Sequence, residues 1–143
     1  MSNTQFAFLK RSSVPSRDAL QASIKALGFG LTLHPEFTPF EDEGFSPCIF
    51  NGIADVGFEV FYEPASDIIE DDEDLQEIAG DNDFCISMVW RSSMKDYACV
   101  MIVSCALAKD FGAVISYEGE KAEQLETLIK NTISIIKEAE SEA

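Results

Sequence analysis

The stretch Asp83-Phe84-Cys85-Ile86-Ser87-Met88-Val89-Trp90-Arg91, followed after two serines by Met94 to Asp110, decides the fold. From Asp83 to Arg91 the apolar residues Phe84, Ile86, Met88, Val89 and Trp90 leave little room for alternation, which is the pattern of a central strand covered on both faces. Ser93 with Asp96 three residues on resembles a capping box and predicts a helix over Met94 to Asp110. Tyr97, Val100, Met101, Ser104 and Ala108 fall on one stripe of that helix. Cys99, Ile102, Val103 and Ala106 make most of the remaining circumference apolar, so the helix belongs at the centre of the fold. Its apolar run, Ala98 to Ala108, falls well short of the ~20 residues a membrane-spanning helix needs.

Toward the C-terminus, Gly112 closes the helix, Ala113 to Tyr117 reads as a last strand, and Glu120 to Glu140 as an amphipathic helix with Leu125, Leu128, Ile129, Thr132, Ile133 and Ile136 turned inward. Toward the N-terminus, Asp67 to Ala79 predicts a short acidic helix, with Ile68, Leu75 and Ile78 on its inner side. Val56 to Glu63 predicts a strand in which Phe58, Val60 and Tyr62 alternate with Gly57, Glu59, Phe61 and Glu63. Asn51-Gly52 before it is a hairpin turn signal, with a short strand Cys48 to Phe50 on the other side. Glu36 to Pro47, with two prolines and an acidic cluster, reads as an irregular loop. Further back come a strand Phe29 to His34, a helix capped by Ser16 and ended by Gly28, and a first strand Gln5 to Lys10. Because strands and helices do not alternate strictly, the expected class is α+β: a central, mostly antiparallel sheet of about five or six strands with three main helices packed against it, in one domain spanning 1–143.

The formal charge of −16 is unevenly placed. Residues 26–90 contain no Lys or Arg and hold 16 acidic residues, whereas ten acids and ten bases balance in the flanks. A single-sign field of this density opposes folding by self-repulsion and speeds encounter with a basic protein. The partner expected from charge is therefore a basic protein, not nucleic acid or an anionic membrane surface. The candidate partner-binding residues are Glu70, Asp71, Asp72, Glu73, Asp74 and Glu77, with Glu41, Asp42 and Glu43 as a second acidic edge and Tyr62 and Phe40 as nearby apolar anchors.

Residues that carry chemistry are scarce. His34 is the single histidine, which leaves few ways to build a nucleophilic or zinc site, and no G-x-S-x-G elbow, Gly-rich phosphate loop or H-E-x-x-H occurs. The aspartates from Asp67 to Asp83 are hard oxygen ligands, yet they lack the alternate spacing, the Gly at the sixth position and the Glu at the twelfth of an EF-hand loop. No cofactor, metal or enzymatic activity is expected. Cys48, Cys85, Cys99 and Cys105 form no C-x-x-C pair and read as free core thiols. Met1 to Lys10 lacks a basic segment followed by an apolar one, so a cytoplasmic protein is expected.

Gly44-Phe45-Ser46-Pro47-Cys48, then Asn51-Gly52 and Gly57-Phe58-Glu59, together with Pro15, Leu20-Gln21-Ala22, Leu27-Gly28-Phe29 and Ala106-Leu107-Ala108, resemble a group of small bacterial proteins of the immunity-protein type. The resemblance covers most of the chain and brings no catalytic residue with it. It implies binding and neutralisation of a toxin domain made by the same or a neighbouring cell. The alternative reading is a chaperone-like or adaptor module of a secretion system that binds an effector segment.

Overall fold

The structure is a computed structural model; it describes residues 3–141 apart from Pro39, Asp42 and Ser92, and leaves the side chain of Asp55 undescribed. The elements run β1 Asn3–Leu9, a 3-10 turn Arg11–Ser13, α1 Arg17–Ala26, β2 Leu31–Leu33, β3 Gly44–Phe50, β4 Ile53–Pro64, α2 Ala65–Ile69, α3 Glu73–Ala79, β5 Phe84–Trp90, α4 Met94–Asp110, β6 Val114–Tyr117 and α5 Leu125–Ser141. The strands form one sheet in the order β2-β3-β4-β5-β1-β6, and each pairing is antiparallel. This is the expected α+β architecture.

Alternation along the strands divides the sheet into two faces. Leu31, Leu33, Phe50, Phe58, Val60, Ile86, Met88 and Trp90 point inward, into the main core with α1, α4 and α5. From Ala98 to Leu107 every residue of α4 is buried, as its all-round apolar character requires. The polar residues that do enter this core are paired: Gln5 donates through Nε2 to Ser104 Oγ at 2.7 Å, and Thr132 Oγ1 donates to Leu128 O at 2.7 Å. The helix starts follow the sequence, since Ser16 Oγ accepts from Ala19 N–H at 3.1 Å and Ser93 Oγ from Asp96 N–H at 3.4 Å.

At the C-terminal end the helix expected over Glu120 to Glu140 begins at Leu125, and Ile133, expected inward, is 44% exposed. Three further expectations are corrected. The acidic helix expected over Asp67 to Ala79 is two short helices, because the Asp72 side chain accepts from Leu75 N–H at 3.1 Å and starts a new helix, while Gln76 Nε2 donates to Ile69 O at 2.9 Å and closes the old one. Part of the expected loop before Cys48 is strand, β3 beginning at Gly44. Pro47 is tolerated there because β2 pairs only with Cys48 to Phe50, which leaves Gly44 to Pro47 at an edge. The strand expected over Phe29 to His34 shrinks to Leu31–Leu33. The Asn51-Gly52 turn forms as read: both residues have positive φ, 48° and 82°, which matches the right-handed twist of the β3–β4 hairpin.

Candidate functional site

The outer face of the sheet is covered only in part. Phe8, Cys85, Ala65, Leu75 and Ala79 form a second, smaller core with Phe6, Ile68, Ile69, Ile78 and Val114 around it, so α2 and α3 lie across β5, β1 and β6. On the other half, register places Phe45 opposite Glu59, Glu59 opposite Val89, Phe61 opposite Ser87 and Pro47 opposite Gly57. Phe45, Pro47, Ile49, Gly57, Glu59, Phe61, Glu63 and Val89 therefore share the uncovered half of this face. Phe45 is 59% exposed and Ile49 46%, large values for apolar residues in a strand. A Cβ at Gly57 would collide with the Ser46 carbonyl and lie 3.0 Å from Phe45 Cζ, so glycine here lets β3 and β4 close and the Phe45 ring lean across the gap. Gly57 N–H donates to Asp96 Oδ1 at 3.0 Å, which ties β4 to the start of α4.

Two depressions flank this half-face. One, of about 170 Å³, is lined by Phe40, Glu41, Glu43, Phe61, Tyr62 and Glu63; the other, of about 110 Å³, lies near the middle of β4 beside Phe45, Glu59, Val89 and Arg91. Phe40 is held in left-handed backbone at φ 71°, with its ring 6.0 Å from Tyr62, 5.3 Å from Phe84 and 4.5 Å from the Arg11 guanidinium carbon. The two proposed anchors thus stand together, although Tyr62 is half-buried against the main core.

The structure does not bring the predicted acidic residues to one spot. Glu41 and Glu43 join Glu63 in the first depression. Asp74 and Glu77 line a separate groove of about 650 Å³ with Glu120 and Lys121, on the β6 side of α3. Glu70, Asp71 and Glu73 are exposed where α2 passes into α3, Asp72 is engaged as the α3 cap, and Asp42 lies outside the described residues. Among the described residues, none of these acids forms an ion pair with Lys or Arg. By contrast, Asp81 pairs with Lys10 at 3.5 Å and Asp83 Oδ1 accepts from the backbone N–H of Arg11 at 2.7 Å, so that end of the tract is engaged locally.

Both sheet edges are occupied. Gln21 spans β2, donating through Nε2 to Leu31 O at 2.8 Å and accepting through Oε1 from Leu33 N–H at 2.7 Å, while Arg17 Nη2 donates to Leu33 O at 2.8 Å. Beyond β6 the chain folds back, and Glu123 N–H donates to Ile115 O at 3.2 Å. The short stretch of β3 that β2 leaves unpaired contains Pro47, which has no N–H to offer. A partner strand added to either end of the sheet finds few free backbone groups.

Among the described residues, no three His, Cys, Asp or Glu side chains converge to hold a metal ion, and no helix is long and apolar enough to cross a membrane. All four cysteines are free and buried. Burial pushes the Cys85 thiol up to about 12 and the Cys105 thiol up to about 11, and Cys99 is raised by its hydrogen bond with Cys48 and by burial, so these three are not nucleophiles near neutrality. No protein-family model, curated protein or solved structure matches the chain.

Sequence reading missed Phe45, Ile49, Phe61 and Glu59 as surface residues. The signal for Phe61 and Glu59 was their alternation with Phe58 and Val60. For Phe45 there was none, since Gly44 to Pro47 read as loop.

Proposed function

We propose that the protein is a cytoplasmic, non-enzymatic immunity-type protein that binds and neutralises a basic toxin domain through its acidic outer side. The observation that carries this reading is the set of carboxylates left without a cation: Glu41 and Glu43 beside Glu63, and Glu70, Asp71, Glu73, Asp74 and Glu77 around the start of α3. In a chain of net charge −16 such groups repel one another, and a basic partner relieves that repulsion while it gains on-rate from long-range attraction.

The test is twofold. The product of the adjacent gene is expressed alone and with this protein, and rescue from toxicity is expected. Association of the purified pair is then followed by stopped flow at rising salt. Changing Glu70, Asp71, Glu73 and Asp74 to Lys, with Asp72 kept because it caps α3, is expected to slow association and flatten its salt dependence. Failure to rescue cells from any neighbouring toxin sinks the toxin assignment, and unchanged kinetics remove the α2–α3 connection from the interface.

A second reading, an adaptor or chaperone-like module for an effector segment, is favoured by one observation: the exposed Phe45 and Ile49 on the outer face. An adaptor raises secretion or solubility of its client and gives no protection from a toxin.

A further inference from the structure

The uncovered half of the outer face has a shape and a rim that define what fits it. We infer that this half-face, built on Phe45, Ile49, Phe61 and Val89, is the seat of a cationic amphipathic helix presented by the partner; the inference rests on the reading that the partner is a basic protein.

The first argument is geometric. Register brings β3, β4 and β5 side by side at Phe45, Glu59 and Val89, where three strands ~4.8 Å apart give a floor about 10 Å wide, the diameter of one helix with its side chains. On the other half α2 and α3 already pack as a helical layer, so a further helix continues that layer. From Gly57 to Glu63 the β4 strand runs about 20 Å, matched by a helix of roughly 13 residues. The two depressions at the ends of that path receive side chains about three to four turns apart. Adding a strand is disfavoured by Gln21 and Arg17 on β2, by Glu123 beside β6 and by Pro47 in β3.

The second argument is charge. Glu41, Glu43 and Glu63 stand at one end of the apolar strip and Glu59 between Phe45 and Val89, so the complementary helix carries Lys or Arg beside its apolar stripe. Arg91, at the far end, sets polarity: it faces an acidic or C-terminal helix end, where the macrodipole is negative. The same charges disfavour a second copy of this chain, since face-to-face association brings two sets of these glutamates together within a Debye length.

The probe is a 14-residue Leu/Lys peptide with leucines at helical spacing, titrated into the isotopically labelled protein at 150 mM salt and followed by amide chemical shifts. A Leu/Glu peptide of the same pattern serves as control. Shifts are expected at Phe45–Ile49, Gly57–Phe61 and Ser87–Val89 with the Lys peptide only, and the exposed double variant Phe45→Ser/Ile49→Ser is expected to bind at least tenfold more weakly. Shifts confined to Glu70–Glu77, affinity of the variant within twofold of wild type, or equal binding of the Leu/Glu peptide overturns the inference; the shift map of the unmodified protein decides even where the variant folds poorly. Binding here with no rescue from a toxin leaves the surface assigned and the immunity reading refuted, whereas rescue that survives Phe45→Ser/Ile49→Ser does the reverse.

Discussion

The two faces of this sheet are built from the same alternating strands and end in different states. On the inner face, Phe58, Val60, Ile86 and Met88 vanish beneath α1, α4 and α5, and their polar neighbours are hydrogen-bonded. On the outer face only the β5-β1-β6 half receives helices; Phe45 and Ile49 stay exposed and Phe61 is half-buried between Glu59 and Glu63. The inner face shows what a covered sheet looks like in this molecule. The open half lacks a helix of the same kind, and the acidic rim states the charge that helix should carry.

That contrast breaks most readily at single residues. Phe58→Ala on the inner face is expected to lower stability by about 3–5 kcal/mol in urea unfolding. Phe45→Ser on the open half is expected to change it by less than about 0.5 kcal/mol. Equal losses would mean that Phe45 is core and the open half an illusion.

Alkaline pH sharpens the comparison within the outer face. Cys85 lies beneath α2 and α3 with its thiol pushed up to about 12 from an ordinary value of 9.0, and Cys105 in the main core rises to about 11. A group whose folded value is raised contributes its full stability below the unfolded value and loses it as pH climbs through the folded one. Stability is therefore expected to hold up to about pH 9 from these thiols and to fall toward pH 11–12. Cys85→Ala is expected to flatten that fall, read from urea midpoints across the range. A fall that persists unchanged argues that the α2–α3 cover is loose.

Gly57→Ala is expected to cost about 1–3 kcal/mol, because its Cβ meets the Ser46 carbonyl and forces β3 away from β4. Gln21→Leu leaves Leu31 O and Leu33 N–H without their partner and is expected to cost about 1 kcal/mol. Self-association of that variant, seen by sedimentation, would show that the side chain also guards the edge. The smallest effect is from salt: raising NaCl to 0.5 M is expected to stabilise the wild type by a few tenths of a kcal/mol through screening of the unpaired acids. The Lys variant of Glu70, Asp71, Glu73 and Asp74 should show less of this gain.

Much of the inner half was legible in the sequence. Ser16 and Ser93 announced the helix starts, the apolar circumference of Met94 to Asp110 marked α4 as central, and Asn51-Gly52 fixed the hairpin. What escaped were features set by tertiary partners. Pro47 belongs to a strand because β2 is only three residues long, which no local pattern around Pro47 reveals. Asp72 looked like one more acid in a helix and is a cap that divides it. Charge picked out the acids of the base-free tract, but it could not tell that Glu41 and Glu43 meet Phe61 while Asp74 and Glu77 turn toward Gly119 and Glu120. Phe61 carries the same letter as Phe58, and only the register decides which of them is covered.

The central claim concerns which apolar side chains a partner covers. Hydroxyl-radical footprinting of the protein with and without the product of the adjacent gene, the partner proposed above, reads this residue by residue, and Ile133 of α5, 44% exposed on the other side of the molecule, supplies an internal control. The account predicts that Phe45, Ile49 and Phe61 lose reactivity in the complex while Ile133 keeps it. Protection of Ile133 with Phe45 and Phe61 unchanged would contradict it.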